Sequence, residues 1–123
     1  MEERLKLMKA STTAKVDATL YRNIVGGLRY LVHTRPDIAF AVGYVSRFME
    51  NPKEDHWAAV KRLLHYVKGT VDQGIIFPKT DGSRLQLTVL SDADMARDID
   101  RRRSTSGVLV FLGSAPISWL SLK

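Results

Sequence analysis

From Tyr21 to Val67 the apolar residues recur every three or four positions; from Leu85 onward they alternate or run together in short blocks. The first spacing is that of helices burying one stripe, the second that of strands. Tyr21, Ile24, Val25, Leu28, Leu31 and Val32 make the first stripe, on a helix that Asp17 or Thr19 can cap and that runs roughly to His33. Gly26 and Gly27 interrupt it, each costing about 1 kcal/mol against alanine. A glycine pair inside a good stripe predicts a second helix crossing closely there. No strand precedes the pair, so a phosphate loop is the poorer reading. Pro36 suits the first position of a second helix, Asp37 complements its positive end, and Arg35 anchors its start. Ile38, Ala41, Val42, Val45, Phe48 and Met49 face inward until Asn51-Pro52 stops it. The third helix runs from about Glu54 to Lys68, with Trp57, Val60, Leu63, Leu64 and Val67 on one side and Gly69 as a left-handed cap.

After Gly69 the pattern changes. Gly74–Phe77 predicts a short strand and Lys79–Ser83 a turn. Leu85, Leu87 and Val89 alternate with Gln86, Thr88 and Leu90 in a strand that ends at Ser91-Asp92. Residues 104–112 form the next strand, Gly113-Ser114 its turn, and Ala115–Leu120 the last. The fold class expected is α+β: a three-helix bundle followed by an antiparallel three-strand meander. The organisation expected is a mobile lead-in over 1–17, the bundle over 18–70, a connector over 71–84 and the strands over 85–123.

Composition then narrows the chemistry. The absence of cysteine removes disulfides, thiolate metal sites and cysteine nucleophiles together. Nineteen Lys and Arg against thirteen Asp and Glu leave a formal charge of +6, which favours polyanionic partners in a general way. The N-terminal residues contain no apolar signal core, and no run of about 18 apolar residues offers a membrane span. An intracellular location is expected rather than a secreted one. The candidate chemistry is a strand-end carboxylate, Asp92, with Asp94, Asp98 and Asp100 close behind it. Those three read as a solvated acidic turn balanced by Arg97 and Arg101–Arg103. Lys61, Arg62, His65 and Lys68 lie on or near one helix face, as a phosphate-contacting surface or simply a solvated one. Arg101, Arg102 and Arg103 could contact phosphate in the same way. Ser104–Ser106 read as hydroxyls at the start of a strand, although arginines precede them. His33, His56 and His65 lack metal-ligand spacing, and Trp57 and Trp119 read as core residues.

The segment YRNIVGGLRYLVHTRPDIAFAVGYVSRFMENPKEDHWAAVKRLLHYVKGT resembles the copia-type LTR-retrotransposon Pol polyprotein just after its polymerase palm. SDADMARDIDRRRSTSGVLVFLGSAPISW is similar to the start of that family's ribonuclease H domain. The resemblance implies thumb-like helices from the end of a reverse transcriptase, followed by truncated strands of ribonuclease H type. The family's YVDD-type polymerase motif is not in these residues. Asp92 occupies the place of the first ribonuclease H aspartate, in enzymes that hold two Mg2+ ions with several carboxylates. The next such carboxylate lies in an EAEY motif, which this sequence does not contain. The resemblance therefore implies a vestigial catalytic Asp92, a weak Mg2+ ligand if one at all, and no cofactor unless another chain completes the site. Met95-Ala96-Arg97-Asp98 replaces the usual Trp-Ala-Gly-Asp, and Leu120 and Leu122 stand where Ser and Lys are common.

Three functions of different classes follow. One is a non-catalytic Pol remnant with at most weak affinity for an RNA–DNA hybrid or other nucleic acid. Another is a ribonuclease H completed by a second chain. The third is a co-opted interaction protein, a regulator or effector-like, that uses the bundle to bind a protein partner. Arg62-Leu-Leu-His65 is a poor version of an RxLR signal and falls inside a helix. Three strands with an open apolar face also predict self-association through residues 85–121.

Overall fold

The computed structural model describes residues 6–79, 85–93 and 98–122. Helix α1 is Ala18–Leu31, and Asp17 caps it by accepting hydrogen bonds from the Thr19 and Leu20 amides at 2.9 and 3.4 Å. Its stripe buries Tyr21, Val25 and Leu28. The second helix is shorter than its stripe predicts. Helix α2 spans only Ala39–Val45, flanked by single 3-10 turns at Pro36–Ile38 and Ser46–Phe48. Ser46 Oγ donates to the Val42 carbonyl at 2.6 Å, a back-bond of the kind that bends and tightens a helix end. Helix α3 is Glu54–Gly69.

Two glycine expectations are corrected. A Cβ built on Gly26 or Gly27 meets nothing within 4 Å, so no helix crosses closely there. Gly69 is not a left-handed cap, because Gly113 and Arg102 are the described residues with positive φ. Thr70 takes the cap position; its Oγ1 donates to the Tyr66 carbonyl at 2.8 Å and accepts from Arg35 at 2.7 Å. A side chain thus satisfies the helix end, and glycine geometry is unnecessary.

The core is the meeting of the three stripes: Tyr21, Val25, Ile38, Val42, Val45, Phe48, Val60 and Leu63. Tyr21 donates its phenol proton to the Val45 carbonyl at 2.6 Å, and Arg22 Nε reaches the Met49 carbonyl at 2.8 Å. Trp57 packs against this core, whereas Leu64 is exposed. His56, in the first turn of α3, is wholly buried. Its Nδ1 accepts from the Lys53 amide at 3.0 Å, which leaves the proton on Nε2 to go to the Met8 carbonyl at 2.8 Å. Phe48 stacks on the ring at 4.0 Å between centroids.

Residues 6–16, expected as a mobile lead-in, lie as a strap along the bundle. Leu7 is buried and its amide donates to the Tyr44 hydroxyl at 2.9 Å. Thr13 Oγ1 donates to Asp55 at 3.0 Å, and backbone bonds join Ala14 to Glu54 and Val16 to Pro52. The lead-in has no helical or strand period because scattered contacts hold it, with one isolated antiparallel bridge between Lys15 and Lys53, and no regular ladder.

At the other end of α3, Arg35 and Tyr66 converge on Asp37. Arg35 donates from Nε and Nη2 at 3.0 and 2.8 Å, and the Tyr66 hydroxyl donates at 2.6 Å. The Arg35 hydrogen bonds foremost, and Tyr66 after them, lower the Asp37 carboxyl to about 2. A depressed carboxyl stabilises the fold fully above its unfolded value near pH 4, and that contribution disappears as pH falls through the folded value. The Asp37 side chain is 37% exposed, so solvent screens the pair and the contribution is modest. The difference in urea midpoint between the native chain and Asp37→Asn should be flat near neutrality and close as pH drops from about 4 to about 2. A difference that stayed constant to the lowest pH would rule out the carboxylate as its source.

The sheet is a meander of β1 Leu87–Ala93, β2 Ser106–Leu112 and β3 Ala115–Leu122, antiparallel in the order β1-β2-β3. Gly113, at φ 62°, makes the tight β2–β3 turn. Leu87 pairs with Leu112, Asp92 with Gly107 and Leu109 with Trp119. The register slips between Val110 and Phe111, opposite Pro116, which lacks an amide proton and sits on an edge strand. The Gly74–Phe77 strand does not form; those residues have no strand partner among the described residues. Most of the Lys79–Ser83 turn lies outside the described residues. Every residue of β1 is exposed, so its alternation buries neither face. The sheet meets the bundle through Trp119, whose indole N–H donates to the Val32 carbonyl at 2.7 Å. No helix among the described residues is long and apolar enough to cross a membrane.

Candidate nucleic-acid interface and the Asp92 position

Asp92 stands exposed on β1 and accepts a hydrogen bond from the Ala93 amide at 2.8 Å. Its strand partner is Gly107, so no cross-strand side chain covers it. Asp94 lies outside the described residues. Among the described residues no group of three His, Asp or Glu side chains is placed to hold a metal ion. What they offer at this position is one carboxylate, and Mg2+ sheds its water only for several fixed oxygens.

Asp98 is not the solvated acid expected, whereas Asp100 is exposed as expected. Asp98 is buried, and its carboxylate lies 3.9 Å from Arg47 Nη1 while accepting from the Asp100 amide at 3.2 Å. Asp100 turns to the strap, where both of its oxygens accept from the Lys9 amide at 3.2 and 3.1 Å. Arg47 is the anchor. Its Nη2 donates to Thr105 Oγ1 at 2.9 Å and its guanidinium lies 4.8 Å over the Tyr44 ring. Buried donors of this kind draw a carboxylate inward more strongly than exposed arginines hold it at the surface.

The segment between these anchors is a closed turn. The Arg102 amide donates to the Asp98 carbonyl at 2.8 Å and the Asp98 amide to the Arg103 carbonyl at 3.3 Å. Arg102 has φ 53°, a left-handed conformation uncommon outside glycine. Arg101, Arg102 and Arg103 are all exposed on it. Lys61, Arg62, His65 and Lys68 are exposed too, in the later half of α3. The turn is instead held by Lys9 of the strap and by Arg47 in the 3-10 turn after α2, so the two basic groups occupy different elements. Sequence reading passed over Arg47 and Lys9, because their roles depend on partners 51 and 91 residues away.

Between α1, α2 and β3 lies an open cleft of about 460 Å3, lined by Arg29, Val32, Val42, Gly43, Met49 and Trp119 among others. It is mostly apolar and no acid lines it.

Fold and site together define an α+β segment with an exposed strand-end carboxylate and a basic turn pinned to a helical bundle. No family model and no solved structure matches the chain. Among curated proteins, it is 50% identical over 118 residues to the retrovirus-related Pol polyprotein from transposon RE2 of Arabidopsis thaliana, covering 96% of the chain and 8% of that protein. It is also 50% identical over 102 residues to the Pol polyprotein from transposon TNT 1-94 of Nicotiana tabacum, covering 82% of the chain and 8% of the relative. A shorter relative is the secreted RxLR effector protein 161 of Plasmopara viticola, 45% identical, with 84% of the chain and 72% of that protein covered. The chain is thus homologous to one segment of the retrovirus-related Pol polyproteins of transposons. It spans about 8% of the length of these polyproteins.

Proposed function

We propose that the chain is a copia-type Pol segment in which thumb-like helices from the end of a reverse transcriptase meet the first strands of a ribonuclease H domain. In this reading it has no catalytic activity by itself. Its contact with nucleic acid is weak, through Lys61, Arg62, Lys68 and Arg101–Arg103. The observation that supports the reading most is 50% identity over 96% of the chain, running through helices and strands alike. Among the described residues Asp92 belongs to no group of three acids or histidines, which supports the inactive part: one carboxylate neither fixes two Mg2+ ions nor orients water between them. Incubating the purified chain with an RNA–DNA hybrid and Mg2+ tests this directly. No cleavage above buffer is expected. Cleavage that Asp92→Asn abolishes would overturn the inactive reading, and cleavage only on adding a second chain would show complementation.

A second reading is favoured by one observation: the chain covers 72% of an effector protein of similar length. In that reading the bundle is a co-opted binding surface for a protein partner. It predicts a specific partner that stays bound when the strands are deleted. The wholly exposed β1 edge also supports self-association in either case.

A further inference from the structure

The anchored arginine turn has a charge distribution that the sequence hides. In sequence, two acids precede three arginines and nearly neutralise them. In the fold, Asp98 is buried against Arg47, while Asp100 stays exposed and accepts from the Lys9 amide of the strap. The arginines stay outside, and none of the three is ion-paired to a carboxylate among the described residues. Two backbone hydrogen bonds and the left-handed Arg102 fix the loop that carries them.

We infer that Arg101, Arg102 and Arg103 form a preorganised contact for the phosphodiester backbone of nucleic acid, and that this turn rather than α3 carries most of the chain's affinity. The inference rests on the nucleic-acid part of the function proposed above and names its main site. Guanidinium is the cation suited to it, because its planar fork meets two phosphate oxygens at once. The three lysine and arginine side chains of α3 instead sit on a helix face with no such turn to aim them. A fixed loop has little entropy left to lose on binding, so its contacts keep more of their attraction. The contact reads no sequence, since only backbone charge is engaged. An anionic membrane is the poorer partner. Ile99, the apolar residue of the turn, is half-buried, and nothing else in residues 98–104 could insert between lipids.

The test is the salt dependence of binding to a short RNA–DNA hybrid, in two unrelated sequences. Three phosphate contacts weaken binding about 40-fold over a fourfold rise in salt. The combined variant Arg101→Ala, Arg102→Gly, Arg103→Ala keeps the left-handed position open to glycine and should retain the helix signal in circular dichroism. It is expected to lose that salt dependence almost wholly, for both sequences alike. If the variant keeps its dependence while Lys61→Ala with Lys68→Ala removes it, the site is on α3; the inference falls and nucleic-acid binding stands. If the native chain binds no hybrid at low salt, the functional reading falls and this inference with it. Capture by phosphatidylserine vesicles without binding to the hybrid would likewise overturn it, in favour of a membrane surface.

Discussion

Replacing His56 with alanine should cost the protein about 3–5 kcal/mol, a large part of the stability a domain of this size has. The ring is inaccessible to solvent and stacks on Phe48 at 4.0 Å, so its loss leaves a cavity in the wall of the core. It also serves two backbone groups. The Lys53 amide loses the acceptor that starts α3, and the Met8 carbonyl loses the donor that holds the strap. An orphaned buried polar group costs about 1–3 kcal/mol, although the strap can relax toward water and recover part of it. His56→Gln preserves one of the two bonds at most and should fall between native and alanine. Urea titration followed by helix and tryptophan signals measures the difference. A loss below about 1 kcal/mol for His56→Ala would mean that the ring is a passenger.

Asp98→Ala should be nearly as damaging, at about 3–5 kcal/mol, by a different route. The substitution leaves the Arg47 guanidinium, only 12% exposed, without its buried carboxylate. Thr105 and the Tyr44 ring still hold Arg47, which sets the estimate toward the lower end. Because breaking one partner of a buried pair costs more than removing both, Asp98→Ala with Arg47→Met should be less destabilising than the sum of the singles. The damage should concentrate where the sheet meets the bundle. Fluorescence from Trp119, hydrogen-bonded across that seam, is expected to change at lower urea than the helix signal, splitting one transition into two. Coincident transitions in the variant would show that the pair stabilises the whole chain uniformly.

Periodicity made the helices and the meander legible, because burial in the bundle is decided by residues close in sequence. Asp17 and Pro36 marked the helix starts by their own chemistry. The splitting of the second helix was not legible, since it depends on Ser46 turning back onto its own backbone. Gly26 and Gly27 misled because a missing Cβ permits close approach without requiring it. The candidate site was legible as a list and not as an arrangement. The position of Asp92 at a strand end followed from the alternation before it. The burial of Asp98 and the bond from Asp100 to the strap did not, because Arg47 and Lys9 give no local sign of being their partners. Exposure of β1 escaped the pattern too: alternation marks a face fit for burial, and says nothing about what covers it.

The strap has a consequence for the order of assembly. The contacts of α1, α2 and α3 join neighbours along the chain, whereas Leu7 to Tyr44, Met8 to His56 and Lys9 to Asp100 span 37, 48 and 91 residues. Closing a loop costs more as it lengthens, and distant pairings wait for local ones to be rewarded first. The bundle can therefore condense while residues 6–9 are still searching. Lys9 finds its carboxylate only after the turn near Arg102 exists, so Leu7, Met8 and Lys9 are the last to come to rest.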